Sequence, residues 1–316
     1  MKTIIIKYTS AGLLLFLWGC TPVKKSTSDE VGNFDKNKTT HFFVLGDWGR
    51  KGLLDQKNVA EQMKTYAKTS NPSFCLVTGD NFYEDGVKDI YDDHWKTSFE
   101  DVYKPLTTAF PWYVSLGNHD YRGSPQAEID YHTINTNWIM PDRYYTTVIE
   151  TKDGQKVRLV CIDTSPFYAD YYSAKNMTGV LTQDTVAQLH WIEKTLADAK
   201  EPWKIVFGHH PVYSAALRGG TPELISRLAP ILEKYKVQAY ICGHDHNLQH
   251  NHNENSYVDY FVSGGGSEVK DSIKFNPAKF AASIAGFADI SIKGDSLFLN
   301  FIDKTGTVIY HYGRRK

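Results

Sequence analysis

The stretch FCLVTGDNFY at residues 74–83 decides the fold, because an apolar run stops at a glycine and a polar side chain able to bind a metal follows immediately. Four further runs end in the same way, at Gly46-Asp47, Gly117-Asn118, Gly208-His209 and Gly243-His244. Continuously apolar runs are typical of strands buried on both faces. In sheets of such strands, functional groups collect beyond the carboxyl ends. The sequence therefore predicts functional groups beyond the carboxyl ends of these strands, at Asp47, Asp80, Asn118, His209 and His244.

The rest of the chain predicts helices between these strands and antiparallel strands after them. Helical patterns run over Gln56 to Lys68, Thr182 to Lys200 and Pro222 to about Tyr235. After Gly266, apolar and polar residues alternate around Gly294-Asp295 and Thr305-Gly306, which is typical of β-hairpins. This order predicts an α/β fold with two packed mixed β-sheets flanked by helices.

The N-terminus, residues 1–19, predicts a signal peptide of the lipoprotein type. Lys2 and Lys7 give a positive start, and the apolar run from Ala11 to Trp18 that follows is too short to span a bilayer as a stable helix. It ends Leu-Trp-Gly-Cys, similar to a bacterial lipobox, so we expect cleavage before Cys20 and lipidation of its thiol. An ordinary secretory signal with an incidental cysteine is the alternative. Residues 20–40 would form a flexible tether. The protein would be an exported, periplasmic or cell-surface lipoprotein of a bacterium.

Charge and cysteine usage exclude several classes of function. The chain has 35 Lys and Arg against 36 Asp and Glu, so its formal net charge is −1. Binding to nucleic acid or to a membrane through bulk positive charge is therefore excluded. Cys75, Cys161 and Cys242 each lie inside an apolar run, and we interpret them as small core residues rather than a disulfide framework.

The polar residues at the strand ends form a set with the chemistry of a metal site. Carboxylates, imidazoles and an amide oxygen suit a first-row transition ion. His244 and His246 are two positions apart, so in extended backbone both point to one face. Tyr83 follows Asp80 by three positions, and its phenolate would be a hard, strongly donating ligand that favours a trivalent ion such as Fe(III).

Taken together, the motifs GDWG, GDNFY, GNHD, VFGHHP and GHDH resemble the five signature blocks of the purple acid phosphatases, which belong to the calcineurin-like metallophosphoesterases. Within this family, the sequence is similar to the small, tartrate-resistant type, and the similarity covers about residues 41–310. It implies a four-layer α/β/β/α sandwich and a metallophosphoesterase catalytic domain over residues 41–316.

The resemblance also implies a dinuclear centre and a reaction. A trivalent iron would be held by Asp47, Asp80, Tyr83 and His246. A divalent Fe, Zn or Mn would be held by Asp80, Asn118, His209 and His244, with Asp80 as the bridge. Metal-bound hydroxide would attack phosphate monoesters in line, which is acid phosphatase activity.

Three further residues are candidates for contact with the substrate. By the family pattern, His119 would donate the proton to the leaving alkoxide and, with Asn118, bind phosphate. The small phosphatases place a second substrate-binding histidine nine residues after the ligand that matches His209, and here that position is Arg218. Arginine can bind phosphate through its planar fork but cannot act as an acid. His210 would either line the pocket and contact substrate or merely pack.

Some alternatives remain open in the sequence. The same centre would also suit a phosphodiesterase or nucleotidase, or a metal- or phosphate-binding surface protein that has lost catalysis. The expected partners are small phosphate esters and, through the lipid anchor, a membrane, with no nucleic-acid scaffold role and a monomeric state. Asp163 ends a sixth apolar run without a preceding glycine, so we interpret it as structural. His250 and His252 are expected to be solvated loop residues.

Overall fold

The structure is a computed structural model that describes residues 38–253, 255–270, 272–273 and 278–316. Cys20, the predicted signal peptide and most of the predicted tether lie outside the described residues. Among the residues that are described, no helix combines the length and apolar character that crossing a bilayer requires.

The strands of the described chain form two mixed sheets of seven strands each. In chain order they are β1 (Thr40–Leu45), β2 (Phe74–Thr78), β3 (Trp112–Ser115), β4 (Trp138–Ile139), β5 (Tyr145–Glu150), β6 (Lys156–Cys161), β7 (Trp203–Phe207), β8 (Ala239–Cys242), β9 (Leu248–Asn251), β10 (Asp259–Ser263), β11 (Ala278–Ala282), β12 (Gly286–Lys293), β13 (Ser296–Asp303) and β14 (Val308–Arg315). The first sheet has the order β14-β13-β12-β1-β2-β3-β4, and the second has the order β11-β9-β10-β8-β7-β6-β5.

The helices lie between these strands along the chain. They are α1 (Gln56–Ser70), α2 (Asp101–Tyr103), α3 (Leu106–Ala109), α4 (Pro125–Asp130), α5 (Thr185–Asp198), α6 (Pro222–Arg227) and α7 (Ala229–Lys234), and a π-helical segment, Trp95–Glu100, leads directly into α2. Short 3₁₀ turns at Ser165–Phe167 and Ala169–Ser173 build the loop after β6.

Alternate residues of the central strands pack into two different apolar layers. On β7, Ile205 and Phe207 join the large cluster that also contains β1 and β2, whereas Val206 joins a second cluster with α5 to α7. Because successive strand residues point to opposite faces, the second cluster lies between the second sheet and helices α5 to α7, whereas the first cluster takes in both faces of β1 and β2. Helix α1 buries Val59 and Met63 in the first cluster. The predicted α/β fold of two packed sheets with flanking helices is confirmed.

The predicted elements are present with different helix ends, since α1 ends at Ser70 rather than Lys68 and α5 ends at Asp198 rather than Lys200. The hairpins β12–β13–β14 turn at Gly294-Asp295 and Thr305-Gly306 as expected. Helix α5 begins at Thr185 rather than Thr182, because the Asp184 side chain caps it by accepting from two backbone N–H groups. The helix predicted from Pro222 to Tyr235 is two helices, since Pro230 has no N–H to donate to the carbonyl of Ser226. Cys75, Cys161 and Cys242 are free and buried, as expected.

Candidate metal centre

Five strands deliver polar side chains to one site, three from the first sheet and two from the second. Strands β1, β2 and β3 are parallel neighbours, and β7 and β8 are parallel neighbours in the other sheet. Directly after a strand-end glycine, Asp47, Asp80 and His244 adopt left-handed backbone conformations with φ of 58°, 47° and 67°. Such conformations cost on the order of 1–3 kcal/mol each in non-glycine residues and cluster at functional sites.

Four of the predicted ligand atoms surround one point. The hydroxyl oxygen of Tyr83 lies 3.0 Å from Asp47 Oδ1, 3.0 Å from Asp80 Oδ2 and 3.0 Å from His246 Nε2. His246 Nε2 and Asp47 Oδ1 are 3.4 Å apart. Adjacent ligands in an octahedron with bonds of about 2.1 Å are about 3.0 Å apart. The spacing of these four atoms therefore fits a single small ion.

A second group of atoms forms next to the first. His209 Nε2 lies 3.2 Å from Asn118 Oδ1, 3.1 Å from His244 Nδ1 and 3.4 Å from Asp80 Oδ2. The same oxygen of Asp80 thus belongs to both groups, which is the arrangement that a bridging carboxylate needs. The structure brings together all seven residues predicted as metal ligands: Asp47, Asp80, Tyr83, Asn118, His209, His244 and His246.

Backbone groups hold the remaining atoms of these ligands. The backbone N–H of His119 donates to Asp80 Oδ1 at 2.7 Å, and the N–H of His244 donates to Asp47 Oδ2 at 2.8 Å. His209 Nδ1 donates to the carbonyl oxygen of Thr78 at 2.8 Å, so in the neutral ring Nε2 would be the lone-pair nitrogen facing the site. Partners of this kind fix the orientation and tautomer of a metal ligand.

The ligand-bearing turns pack so closely that glycine is required between them. A Cβ on Gly117 would lie 2.2 Å from the backbone nitrogen of Asp80, and one on Gly243 would lie 2.4 Å from Asp47 Oδ2. The strand-end glycines of the sequence pattern therefore allow turns from different strands to converge on one site.

The electrostatics of the cluster are those of a site that needs cations. Burial raises the pKa of Asp47 well above its usual range, and burial with the nearby Asp47 and Asp80 carboxylates does the same to the pKa of the Tyr83 phenol. Burial alone would lower the pKa of His209, but Asp80 raises it to about 9. The protons that these groups keep at their raised pKa values balance the negative charge of the buried site. Bound cations could balance the same charge instead. Two carboxylates and a phenolate, all desolvated, suit multivalent ions.

His119 stands at the open side of the cluster. Its Nδ1 donates to the carbonyl oxygen of Glu84, and its Nε2 lies 4.0 Å from Asp80 Oδ2. One ring nitrogen is thus fixed by the backbone, and the other faces the Asp80 carboxylate. Burial lowers the pKa of His119 below its usual value.

Arg218 lies on the other side of the cluster, beside the second group of ligands. Its NH1 is 2.7 Å from His244 Nε2, and its Nε is 3.1 Å from Asp245 Oδ1. Asp245 is buried and also accepts from the Ser214 hydroxyl. The guanidinium is therefore held within reach of the cleft by a buried carboxylate.

His210 does not have the environment of a substrate ligand. It is fully buried, its Nδ1 hydrogen-bonds the Thr164 hydroxyl at 2.8 Å and its Nε2 hydrogen-bonds the Tyr171 hydroxyl at 2.9 Å. Its ring packs against that of His244, with centroids 4.3 Å apart. Of the two roles considered for His210, the geometry favours packing, because both ring nitrogens are already engaged.

Two further buried aspartates, Asp120 and Asp163, lie next to the cluster and are engaged by hydrogen bonds. Asp120 is fully buried, and its carboxylate accepts from the backbone N–H groups of Asn81, Phe82 and Gly117, so it joins the turns that carry Asp80 and Asn118. From sequence, Asp120 could either orient an imidazole or cap a turn, and these backbone contacts favour the turn. Asp163 hydrogen-bonds the Tyr121 hydroxyl, and burial raises its pKa to about 6, in agreement with the structural role predicted for it.

The expectation that His250 and His252 are solvated loop residues is wrong for His250, whereas His252 does lie in the loop after β9 but is only 19% exposed. His250 lies on β9, is fully buried and places Nε2 2.9 Å from Asp259 Oδ1, while His252 Nδ1 is 3.0 Å from the same oxygen. The other Asp259 oxygen accepts from Arg314 at 2.9 Å. The Arg314 guanidinium already neutralises this carboxylate, so we interpret the cluster as a buried ion-pair network.

Comparisons with known proteins agree with this geometry. The calcineurin-like phosphoesterase family matches residues 40–248. Purple acid phosphatase 4 of Arabidopsis thaliana is 35% identical over 289 residues, which are 87% of this chain and 83% of that protein. Tartrate-resistant acid phosphatase type 5 of Sus scrofa is 33% identical over 293 residues, which are 85% of each chain.

A solved structure extends the similarity to the fold. The structure of GAP50, described as the anchor in the inner membrane complex of Plasmodium, matches with a TM-score of 0.74 at 26% identity and covers 88% of this chain and 89% of its own. The family match, the two phosphatase relatives and the convergent ligand set lead to the same assignment. The chain belongs to the calcineurin-like phosphoesterase family and, within it, to the purple acid phosphatases.

Proposed function

We propose that this chain is an acid phosphatase that hydrolyses phosphate monoesters at a dinuclear centre of Fe(III) and a divalent Fe, Zn or Mn. The observation that carries the proposal is the Asp80 oxygen shared between two groups of ligand atoms, 3.0 Å from Tyr83 Oη and 3.4 Å from His209 Nε2. When bound, such a metal pair supplies Lewis acidity, a water of lowered pKa and positive charge for phosphate.

The chain's own residues divide the remaining work between them. Asp47, Tyr83 and His246 would complete the trivalent site, and Asn118, His209 and His244 the divalent site. His119 would protonate the leaving oxygen from Nε2, because its Nδ1 is committed to the Glu84 carbonyl. Asn118 and His119 would also contact the phosphate.

We assign Arg218 to phosphate binding as well. An imidazole that gives Nδ1 to a metal keeps its proton on Nε2, so His244 would no longer accept from the Arg218 guanidinium 2.7 Å away. The guanidinium would then donate to a phosphate oxygen instead, with Asp245 still holding Nε. A fixed positive charge here also favours a dianionic monoester over a monoanionic diester.

Replacing Arg218 with Gln should raise KM about 10-fold or more while changing kcat much less, because a charge-assisted hydrogen bond contributes about 1.5–3 kcal/mol. Steady-state kinetics with p-nitrophenyl phosphate would measure both constants. Arg218→His, which restores the residue type of the small phosphatases, is the comparison variant and should retain more of the affinity at acid pH. An Arg218→Gln enzyme with unchanged KM would exclude this assignment.

The presence of Fe(III) at Tyr83 can be tested by metal analysis and visible absorption. Protein purified under mild conditions should contain iron and absorb visible light through charge transfer from the Tyr83 phenolate to Fe(III). Tyr83→Phe should abolish that band while the far-ultraviolet circular dichroism stays unchanged, since one buried hydroxyl is lost and the ring remains. Metal analysis with a visible spectrum would decide, and a band that persists in Tyr83→Phe would rule out this phenolate as the ligand.

A catalytically inactive anchor is the second candidate function, because GAP50 is described as an anchor and shares this fold. The intact set of seven ligand residues supports catalysis instead. Release of phosphate from p-nitrophenyl phosphate by the metallated protein would separate the two. Faster turnover of bis(p-nitrophenyl) phosphate than of the monoester would favour a phosphodiesterase on the same centre.

We further propose that the protein is exported and anchored through a lipid on Cys20, on the strength of the apolar segment and the lipobox-like Leu-Trp-Gly-Cys. Expressed in a bacterium, the protein should incorporate labelled palmitate and sediment with membranes, and Cys20→Ser should do neither. Equal membrane association of the two forms would contradict a Cys20 anchor.

A further inference from the structure

Arg50 is a nearly buried cation that touches the only phenol of the metal centre. It directly follows the GDWG motif, and its side chain is 9% exposed. The centre of its guanidinium lies 3.7 Å from the centroid of the Tyr83 ring. No part of the metal-ligand or substrate assignments above uses this residue.

Two carboxylates fix the guanidinium in that place. Its NH1 donates to Glu84 Oε1 at 2.6 Å, and its NH2 lies 2.7 Å from Glu268 Oε2. Glu84 comes from the segment after Tyr83, and Glu268 comes from the loop after β10, so the clamp spans two distant parts of the chain. A guanidinium held at two points has little freedom to leave the ring face.

The negative charges around Tyr83 make a cation next to its ring favourable. The Tyr83 hydroxyl faces the carboxylates of Asp47 and Asp80, each 3.0 Å away. A phenolate at this point would add a third negative charge in a buried site. Attraction between a cation and an aromatic face is strongest where both are removed from water, as they are here.

From these contacts we propose that Arg50 is a positioning residue for Tyr83: its guanidinium fixes the plane of the phenol ring and lowers the energy of the phenolate electrons that bind the trivalent ion. The inference rests on the proposed role of Tyr83 as a ligand. It also links the ring to His119, because the same Glu84 that clamps Arg50 accepts from His119 Nδ1 through its backbone carbonyl.

A spectrum reports directly on this role. Removing a cation from the ring face raises the energy of the phenolate electrons, so less energy moves an electron from the ring to Fe(III). Arg50→Gln should therefore shift the visible maximum to longer wavelength, and Arg50→Lys should shift it less because the charge is kept. Arg158→Gln is the matched control. Arg158 is also clamped by a carboxylate, that of Glu201, but at the end of β7 that is far from the metal centre. The visible maximum of this variant should therefore stay where it is in the wild-type protein.

A double-mutant cycle separates this inference from the proposed function. Arg50→Gln should weaken metal binding roughly 10-fold, as loss of a partner of a metal ligand does, measured with iron by chelator competition. In a Tyr83→Phe background the same change should have almost no effect, because Arg50 would act through the phenolate. Equal losses in both backgrounds, or a visible maximum that stays in place, would overturn the inference.

Two outcomes are treated separately: a wild-type protein without a phenolate band, and an Arg50→Gln variant that does not fold. If the wild-type protein reconstituted with Fe(III) shows no phenolate band, the proposed role of Tyr83 fails, and the inference about Arg50 falls with it. If Arg50→Gln does not fold, Glu84→Gln and Glu268→Gln loosen the clamp while keeping the guanidinium. Each should produce a smaller shift in the same direction, and an unmoved band in both would overturn the inference.

Discussion

Asp80→Asn should abolish catalysis, lowering kcat/KM for p-nitrophenyl phosphate by at least about 10³-fold. A single group that stabilises developing charge is worth about 10²–10³ in kcat, and in the proposed centre Asp80 would serve two ion sites at once. Its Oδ2 lies 3.0 Å from the Tyr83 hydroxyl and 3.4 Å from His209 Nε2. An amide in its place offers one neutral oxygen and removes a negative charge between two cations, so the metal content should fall as well.

The measurement is activity together with metal content on the same preparation, and Asp163→Asn is the matched control. Asp163 is also a buried aspartate just beyond a strand end, but it hydrogen-bonds Tyr121 and belongs to neither group of ligand atoms. That variant should keep both metals. If Asp80→Asn binds metal and turns over substrate at the rate of Asp163→Asn, the shared-oxygen assignment is wrong.

The strand-end pattern could be predicted from sequence because its causes are local. An apolar run, a glycine and a polar residue specify a buried strand, a tight turn and a polar side chain just beyond the strand end, all within a few residues. The strands β1, β2, β3, β7 and β8 end where the pattern places them. Their convergence, by contrast, depends on sheet order, and the resemblance to a family supplied what local pattern does not.

The residues that sequence reasoning misjudged have distant partners. His250 lies in a polar stretch, LQHNHNEN, yet it is buried because Asp259 and Tyr310 satisfy both of its ring nitrogens. Arg314, 55 positions from Asp259, completes the network. A buried polar group is tolerated only where partners meet it, and the sequence does not show which partners the fold brings near.

Arg50 and Trp48, both next to the metal centre, also have surroundings that the sequence does not show. Trp48 neighbours the predicted ligand Asp47, so from sequence it could line the cleft, as the family resemblance favours, or belong to the core. The structure buries it completely against Phe82, Phe99 and Tyr103. Arg50, two positions further on, is the residue that reaches the centre. Which of two nearby residues contacts the metal centre depends on the loops that pack over them.

His119→Ala should lower kcat about 10²–10⁴-fold for an alkyl phosphate, the range of general acid catalysis. The loss should be much smaller for p-nitrophenyl phosphate, because nitrophenolate leaves without needing a proton. The structure motivates the assignment through geometry: Nδ1 is held by the Glu84 carbonyl, and Nε2 faces the cluster 4.0 Å from Asp80 Oδ2. His311→Ala, an exposed imidazole on β14, is the control and should leave both substrates unaffected.

The pH profile gives the second half of this prediction. Burial lowers the pKa of His119 below 6.5, so the protonated, acid form is lost as pH rises through that lowered value. With the alkyl substrate, wild-type activity should therefore fall above an acid optimum, and His119→Ala should lose that descending limb. A mere loss of phosphate binding would instead raise KM equally for the alkyl and the nitrophenyl ester, since both carry the same phosphoryl group. Equal losses for the two leaving groups would thus assign His119 to binding alone, because only proton donation depends on how badly the leaving oxygen needs a proton.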